Sequence, residues 1–357
     1  MKHTFRIFAV AAIVMLLSVD AVWAGNDKRR GTAGATELLI NPWARSTGWG
    51  SVNVANVRGL DAFFNNIAGL SFINQLEVSY SNTMLWGGKT GLTSGAALNS
   101  FGLGVRVGEK GILGLHLATF NFGDIDVTTV ESPEPINGTF SPTLMNINVA
   151  YSHSFTESIH GGVNLKLVTE STSNISGNAF GIDAGIQYVT GESDELKFGI
   201  SLKNWGPSFS FGGTGMSFTF VNAAGNDMTA EYRSGEMELP TCLNIGVSYD
   251  FLFEALNQRL TFAAAFTSNA FCRDDFGAGV EYSMLDILQL RCGYVYQTDI
   301  FSATESTTAN GGFSAGASVN VPLNKKGEGN TSLTIDYSYR NAQRLNGSHA
   351  IGATFRF

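Results

Sequence analysis

Residues 331–357 read TSLTIDYSYRNAQRLNGSHAIGATFRF, and this stretch decides the fold. Apolar and polar side chains alternate from Leu333 to Arg340, and they alternate again from Ile351 to the final residue, Phe357. Successive side chains of a β-strand point to opposite faces of the sheet, so a period of two predicts a strand with one apolar and one polar face. The C-terminal stretch therefore predicts two amphipathic strands, and the chain ends on an aromatic side chain inside the second one.

The same alternation recurs upstream and predicts many more strands of this kind. We place strands at residues 74–85, 96–107, 110–120, 142–154, 158–169, 178–189, 195–203, 240–251, 258–268, 271–283, 286–298, 310–322, 331–341 and 347–357. The total is about fourteen, an even number, and most of these strands approach the ~9–11 residues that a tilted strand needs to cross a bilayer.

A soluble β-sandwich would show a similar alternation, because its strands also have one buried and one wet face. The gaps between the predicted strands distinguish the two folds. At one end the gaps include the long stretches 121–141 and 204–239, whereas at the other end most gaps are tight turns such as residues 108–109. This asymmetry is typical of outer-membrane barrels. We therefore predict an all-β fold in which residues 74–357 form a transmembrane antiparallel β-barrel of about 14 strands in the cell outer membrane.

The composition agrees with a wall that faces lipid. Only 15% of the residues are charged, against about 25% in soluble proteins, and the chain has 42 Gly and 26 Phe. We therefore expect outer-membrane lipid around the barrel, and the net charge of −8 argues against a nucleic-acid partner. The terminal Phe357 is the type of signal that barrel-assembly machinery reads, so we expect that machinery as a further partner.

The N-terminus has the layout of a secretory signal peptide. Basic residues precede an apolar run at 7–17, and Val22 and Ala24 are the small residues at positions −3 and −1 of a cleavage site. The apolar run is too short to cross a bilayer as a helix. We predict that residues 1–24 are the signal peptide and are removed.

Residues 25–73 precede the first predicted strand and do not alternate cleanly. We expect them to start on the periplasmic side. They could fold into the lumen as a hatch, or they could form a periplasmic tail with one extra strand. A fourteen-stranded barrel is too wide for its own side chains to fill, and the glycines predicted on its inner face leave room for a plug. The fold prediction therefore includes a hatch-like N-terminal segment.

Short motifs in this segment and at the C-terminus resemble those of a known family. Residues 38–50, LLINPWARSTGWG, resemble the opening L-x-I-x-P-x-A-R-x-x-G-M-G of the PorV/PorQ family, which comprises FadL-like outer-membrane barrels of type IX secretion. Residues 65–70, NNIAGL, resemble its W-N-P-A-G-L motif, although Ile67 stands where the family has proline. Residues 349–357 resemble its closing H-R-I-G-x-x-F-x-F. The likeness runs from about residue 32 to the end of the chain.

This resemblance implies a hatch motif and a function. The hatch motif would comprise Asn41, Pro42, Arg45, Asn65 and Asn66. The implied function is that of a component of type IX protein secretion, which binds the translocon or secreted cargo through its external loops. The alternative is a FadL-like outer-membrane transporter of hydrophobic small molecules.

The long gap at residues 204–239 is apolar for an exposed loop. Its large apolar side chains are Trp205, Phe209, Phe211, Met216, Phe218 and Phe220. Exposed apolar surface tends to mark a partner or ligand site, so these residues are candidates to bind a partner or ligand. An equally good interpretation is that the loop folds over the barrel mouth as a lid and buries its own aromatic rings.

The sequence shows no constellation of catalytic residues. The histidines are scattered singly, and neither a nucleophile elbow nor a phosphate-binding loop is present. The three cysteines lack metal-ligand spacing and are interpreted as apolar fillers. Asp274 and Asp275 are interpreted as solvated charges in preference to a cation site. We therefore expect no enzymatic activity, no cofactor and no metal.

Overall fold

The computed structural model describes residues 25–87, 95–130, 132, 134, 138–302, 304–323, 331–343 and 345–357. The predicted signal peptide, residues 1–24, lies outside the described residues. Among the described residues, no helix has both the length and the apolar character needed to cross a membrane.

Fourteen antiparallel strands form one closed barrel. They are β1 Leu76–Met84, β2 Ala97–Val107, β3 Gly111–Asn121, β4 Thr143–Ser154, β5 Ile159–Thr172, β6 Ile175–Thr190, β7 Leu196–Trp205, β8 Cys242–Phe253, β9 Gln258–Asn269, β10 Asp275–Met284, β11 Leu288–Gln297, β12 Asn310–Pro322, β13 Ser332–Ala342 and β14 Ser348–Arg356. Each strand pairs with its neighbours in sequence, and β1 pairs with β14 from Glu77 opposite Arg356 to Met84 opposite His349. The predicted fold and all fourteen predicted strands are confirmed, with ends that differ by a few residues.

The outer surface of the barrel is apolar and the inner surface is mostly polar. On β3, Leu113, Leu115 and Leu117 face outward and are 49%, 43% and 38% exposed, whereas His116 faces inward and is 6% exposed. Lipid offers no hydrogen-bond partner, and a closed ladder leaves no edge with unpaired backbone groups. An apolar belt around such a ladder belongs in a bilayer, so the protein is an outer-membrane barrel.

The connections define two ends of the barrel. The connections at residues 85–96, 122–142, 206–241 and 298–309 are long, and the strand ends that they join lie at one end of the barrel, which we call the outer end. The opposite end, which we call the periplasmic end, has turns such as residues 108–110 and 155–158. The predicted asymmetry is confirmed, apart from the short outer connections at 173–174, 270–274 and 343–347 and the longer periplasmic connection at 323–331.

The N-terminal segment enters the barrel from the outer end. Residues 25–41, which we call the strap, lie at the outer mouth, where Gly34 N–H donates to the Glu238 carbonyl of loop 206–241 at 3.0 Å. Residues 42–73, which we call the plug, then pass through the lumen to the start of β1. We expected the segment to begin at the periplasmic end, and this prediction is wrong, because the chain runs down the lumen before β1 rises from the periplasmic end.

Short helices and turns make up the segment, with no strand beyond an isolated bridge at Ala33 within residues 25–73. The short helices are Asp27–Arg29, Thr36–Leu39, Ala44–Gly48, Gly59–Phe63 and Ile67–Phe72. The plug is almost fully buried, and Leu60, Ala68 and Leu70 have no exposed surface. The structure therefore agrees with the hatch interpretation and not with a tail that carries an extra strand.

Inward-facing glycines make room for the plug, as the sequence suggested. At twelve of these glycines, an added Cβ would come within 3.4 Å of a plug atom. They are Gly102, Gly104, Gly114, Gly162, Gly185, Gly199, Gly246, Gly277, Gly279, Gly293, Gly316 and Gly352. At Gly114, for example, the Cβ would lie 2.8 Å from the Phe63 ring. Because ten of the fourteen strands contribute such a glycine, the barrel wall and the plug are in contact around most of the circumference.

Candidate functional site

Two of the three asparagines in the predicted hatch motif, Asn41 at the end of the strap and Asn65 in the plug, make side-chain hydrogen bonds to plug residues. Asn41 Oδ1 accepts a hydrogen bond from Trp43 N–H at 2.9 Å, and Asn41 Nδ2 donates to Ser51 Oγ at 2.8 Å. Asn65 Nδ2 donates to Asn53 Oδ1 at 2.8 Å. Both asparagines are buried. The amides satisfy polar groups that the irregular plug backbone, away from water, could not pair by itself.

The third asparagine, Asn66, joins the plug to the wall. Its Nδ2 donates to the Val54 carbonyl at 3.1 Å and to the Ile186 carbonyl of β6 at 3.0 Å, while its Oδ1 accepts from Ala68 N–H at 3.2 Å. One buried side chain thus fixes two turns of the plug to each other and to the barrel.

Pro42 and Arg45 contact the opposite side of the wall. The Pro42 carbonyl accepts from Thr83 Oγ1 of β1 at 3.4 Å, and Arg45 Nη2 donates to Gln289 Oε1 of β11 at 3.4 Å. The structure therefore places four of the five predicted hatch residues in the plug and the fifth, Asn41, at the end of the strap, and all five make contacts that position the plug.

Beside Arg45, the lumen wall carries a buried network of charges. Arg291 Nε donates to Glu281 Oε2 at 2.8 Å, and Arg291 Nη1 lies 3.8 Å from Asp336 Oδ1. Arg259 Nη2 lies 3.8 Å from Glu281 Oε1. Buried charges are costly unless they are paired, and this network pairs them across β9, β10, β11 and β13.

On the other side, the plug packs through aromatic rings. The His116 ring of β3 lies 5.3 Å from the Trp43 ring and 5.1 Å from the Phe63 ring. Its two nitrogens are 2.6 Å from Ser100 Oγ and 3.0 Å from Asn148 Nδ2. His116 is thus a hydrogen-bonded part of the contact between plug and wall.

A cavity of about 500 Å³ lies between the plug and the outer loops. Its floor is the outer side of the plug, which includes Thr47, Val52 and Phe64; its walls are the outer ends of the strands; and strap residues 39–41 contribute to its rim. The volume falls within the roughly 300–1,000 Å³ range of small-molecule sites. Its lining mixes apolar side chains with hydroxyl, amide and charged groups.

Two basic side chains of this cavity make neither a hydrogen bond nor an ion pair within 4 Å among the described residues, although the charge of one of them, Arg340, interacts with that of Asp275 over a longer distance. They are Lys203 of β7, which is 7% exposed, and Arg340 of β13. Lys203 Nζ lies 4.0 Å above the Phe64 ring. The cavity also contains the carboxylate of Asp275, which accepts hydrogen bonds from Asn269 Nδ2 at 3.2 Å and Gln297 Nε2 at 2.9 Å. The cavity therefore presents two cationic groups and one carboxylate whose oxygens are already bonded.

The aromatic loop at 206–241 divides into a buried part and an exposed part. Phe209 is 7% exposed and packs with Leu38 of the strap and with Leu239, while Phe211 and Met216 are half-buried.

The remainder forms a hairpin of Ser217–Val221 with Asp227–Glu231, on which Phe218 and Phe220 are 37% and 44% exposed. Trp205, at the end of β7, is 59% exposed. The first part of the loop therefore behaves as the lid interpretation predicts and buries its aromatic rings. The hairpin instead presents exposed apolar surface.

Sequence reasoning missed three residues at the outer mouth. Lys203 and Arg340 occupy inward positions of predicted strands, but nothing in the alternation distinguishes a cavity-facing cation from an ordinary luminal one. Asp274, which we interpreted as a solvated charge, is 2% exposed and accepts hydrogen bonds from Gly25 N–H at 2.9 Å and Asn269 N–H at 3.1 Å. Its proximity to the predicted cleavage site was not visible without the fold.

The three cysteines, all within the described residues, form no disulfide with one another. Cys242 is buried beside the cavity, which agrees with a filler role, whereas Cys292 is exposed on the outer surface of β11.

The fold of this chain, a fourteen-stranded outer-membrane barrel with its N-terminal segment inside the lumen, is similar to that of solved outer-membrane channels. The toluene transporter TodX of Pseudomonas putida has this fold, with a TM-score of 0.58 and 11% sequence identity over 89% of this chain and 99% of that one. The monoaromatic hydrocarbon channel CymD is also similar, with a TM-score of 0.54 and 14% identity over 89% and 98%. A FadL homologue of Pseudomonas aeruginosa has a TM-score of 0.50 and 13% identity over 88% and 98%. No family model and no curated protein sequence matches the chain.

Proposed function

We propose that this barrel is an outer-membrane transporter that admits small hydrophobic molecules through the cavity at its outer mouth. The observation that carries the proposal is the position of this cavity, which lies below the outer loops and ends at a plug made of the chain's own N-terminal segment. Similar solved structures are described as a toluene transporter and a monoaromatic hydrocarbon channel. They support this role better than the type IX role to which the motif resemblance gave priority. The proposed role includes no chemical step.

The cavity chemistry narrows the class of molecule. A buried cation without a hydrogen-bond partner is unfavourable, and an anionic or strongly polar group of a ligand would supply the partner of Lys203. The apolar part of the ligand would lie against Val52, Phe64 and Val295. The proposed substrate is therefore an amphipathic small molecule with a carboxylate or similar head group, in preference to a plain hydrocarbon.

An uptake experiment tests the transport proposal. Ala265 of β9 lines the cavity, whereas its neighbour Ala264 faces outward. Ala265→Phe should block uptake of a radiolabelled alkyl carboxylate by cells that express the barrel, because the added ring fills the cavity. Ala264→Phe places the same ring in lipid and should leave uptake unchanged. If Ala265→Phe transports as well as the parent at equal membrane abundance, the cavity is not the route.

The exposed hairpin supports a second candidate function, the binding of translocon or cargo in type IX secretion. Phe218 stacks on Tyr232 with ring centres 4.4 Å apart, and Phe220 pairs with Met228 across the hairpin. Together they form an exposed apolar face at the outer end, where an external partner could reach it. Deletion of residues 218–230 removes this face but not the barrel. Co-purification of translocon or cargo proteins that depends on the hairpin would support this role, and co-purification that is unchanged by the deletion would contradict it.

The PorV/PorQ assignment and recognition of Phe357 by barrel-assembly machinery remain predictions. Phe357 packs against Phe355 with ring centres 4.6 Å apart and donates its backbone N–H to the Leu76 carbonyl of β1. The terminal ring thus lies at the seam where the barrel closes. If Phe357→Ala assembles into the membrane at the parental rate, the proposed recognition is wrong.

A further inference from the structure

The predicted cleavage site and a buried carboxylate meet at the outer mouth of the barrel. The backbone nitrogen of Gly25 donates a hydrogen bond to Asp274 Oδ2 at 2.9 Å. Asp274 is 2% exposed, and its Oδ1 accepts from Asn269 N–H at 3.1 Å. Gly25 follows directly after Ala24, the residue at which we predict the signal peptide to end.

We infer that removal of the signal peptide creates an α-ammonium on Gly25, which forms an ion pair with the buried Asp274 and anchors the strap at the outer mouth. Cleavage of the Ala24–Gly25 peptide bond by water leaves a carboxylate on Ala24 and an amino group on Gly25, which is protonated at neutral pH. A neutral amide N–H at this position is thereby replaced by a charged donor. Charge-assisted hydrogen bonds are roughly twice as strong as neutral ones.

The space around Gly25 fits a terminal glycine and not a larger residue. A Cβ on Gly25 would lie 2.5 Å from the Cys272 carbonyl oxygen and 3.0 Å from Asp274 N. Both are backbone atoms of the short connection at 270–274, so neither can move aside as a flexible side chain could. The residue that cleavage exposes is thus the one residue type that this site admits without rearrangement.

Further along, the strap binds a second loop. The Arg29 guanidinium forms an ion pair with Glu238 and lies 4.3 Å from the centre of the Phe271 ring. Ala33 forms a β-bridge with Glu238. The strap therefore joins loop 206–241 to the connection 270–274, and its residues 39–41 contribute to the rim of the cavity. The ion pair between Gly25 and Asp274 therefore couples cleavage of the signal peptide to anchoring of the strap at the outer mouth. The inference does not depend on the transport role.

The reactivity of the α-amine tests this inference. The barrel is isolated from outer membranes, its first residue is determined by mass spectrometry, and the folded protein is treated at pH 7 with an amine-acylating reagent. We expect the chain to begin at Gly25. Only the unprotonated amine reacts, and each unit by which the carboxylate raises the pKa of the ammonium lowers the unprotonated fraction about tenfold. The Gly25 amine should therefore react at least about tenfold more slowly in the folded than in the denatured protein.

Two variants and one control complete the test. Asp274→Asn should restore acylation of Gly25 to the rate of the denatured chain, whereas Asp227→Asn, in the exposed hairpin, should leave the protection intact. If Asp274→Asn does not fold, refolded chains that start at Ala24 and at Gly25 are compared, and only the latter should be protected. Three results would overturn the inference. The first is a chain that begins at another residue, and the second is a Gly25 amine that reacts as fast in the folded as in the denatured chain. The third is protection that persists in Asp274→Asn or in the chain that starts at Ala24.

Discussion

The Asn66 side chain of the plug donates to the Ile186 carbonyl of β6 at 3.0 Å, directly beside a glycine. A Cβ at that glycine, Gly185, would overlap Asn66 Oδ1. The hydrogen bond therefore exists because the neighbouring wall residue has no side chain. Similar close approaches recur around the lumen, so the irregular plug is held by the regular barrel at many points, and its position is determined by the wall.

We predict that Gly185→Ala weakens the attachment of the plug without opening the barrel. Overpacking of a close contact costs about 1–3 kcal/mol, and the Asn66 amide would have to leave its partners. The measurement is unfolding in detergent together with limited proteolysis of the plug, which should be cleaved faster. Gly235→Ala, where a Cβ meets no atom within 4 Å, is the matched control. Equal stability and equal proteolysis of the two variants would contradict the prediction.

A second prediction concerns the buried pair of Glu281 and Arg291, whose side chains are 5% and 0% exposed. Glu281→Gln leaves the Arg291 charge with a weakened partner, and removal of one member of a buried pair costs about 3–5 kcal/mol. The midpoint of denaturant unfolding should fall accordingly. Arg259 and Asp336 each lie 3.8 Å from one member of this pair, so Glu281→Leu combined with Arg291→Leu should be at least as destabilising, because it leaves these two charges without partners. A double variant that is more stable than Glu281→Gln would show that the cost of burying the pair outweighs its contacts with the rest of the network.

The wall could be predicted from the sequence, and the course of the plug could not. Alternation with a period of two identifies strands one at a time, so all fourteen strands follow from local patterns such as Leu333 to Arg340. The plug has no period, because its conformation depends on wall residues distant in sequence. Motif resemblance drew attention to Asn41 and Asn66, but the entry of the segment from the outer end depends on contacts such as Gly25 with Asp274, which are 249 positions apart.

We predict that docking of the strap depends on pH through Glu37. Burial, and then the negative charge of Glu170, raise the pKa of Glu37 to about 8. Because the folded chain binds this proton more tightly than the unfolded chain, the contribution to stability is complete below the ordinary glutamate pKa and is lost as the pH rises through about 8. Hydrogen exchange at Leu38 should therefore accelerate as the pH rises from the ordinary value of 4.5 to about 8, and level off above that, after correction for intrinsic exchange.

Glu37→Gln cannot ionise and should abolish most of this acceleration. Glu236→Gln, an exposed carboxylate of loop 206–241, should retain it. If Glu37→Gln follows the parental pH profile, the buried carboxyl does not control the strap.

We predict that the cavity distinguishes ligands by charge through Lys203. A hydrogen bond to a charged group contributes about 1.5–3 kcal/mol, so Lys203→Met should weaken binding of an alkyl carboxylate by about tenfold or more. Binding of the alcohol of equal chain length should change little. Affinities would be measured by titration of the detergent-solubilised barrel, with Lys28→Met, an exposed strap residue, as the control. An equal loss of affinity for alcohol and carboxylate would indicate lost packing and not lost charge recognition.

Passage beyond the cavity requires the plug to move, because its residues form the cavity floor and fill the space against the wall glycines. Ala44 and Gly352 allow this movement to be prevented: a Cβ on Gly352 would lie 3.3 Å from Ala44 Cβ, close to the roughly 3.5–4.5 Å separation of a disulfide. The double variant Ala44→Cys with Gly352→Cys, once oxidised, should lose uptake of the alkyl carboxylate but should still bind it in the cavity. A reductant should restore uptake, whereas oxidant should not affect Ala44→Cys alone. Full uptake by a barrel whose cross-link is verified by mass spectrometry would show that the ligand leaves the cavity without displacing this part of the plug.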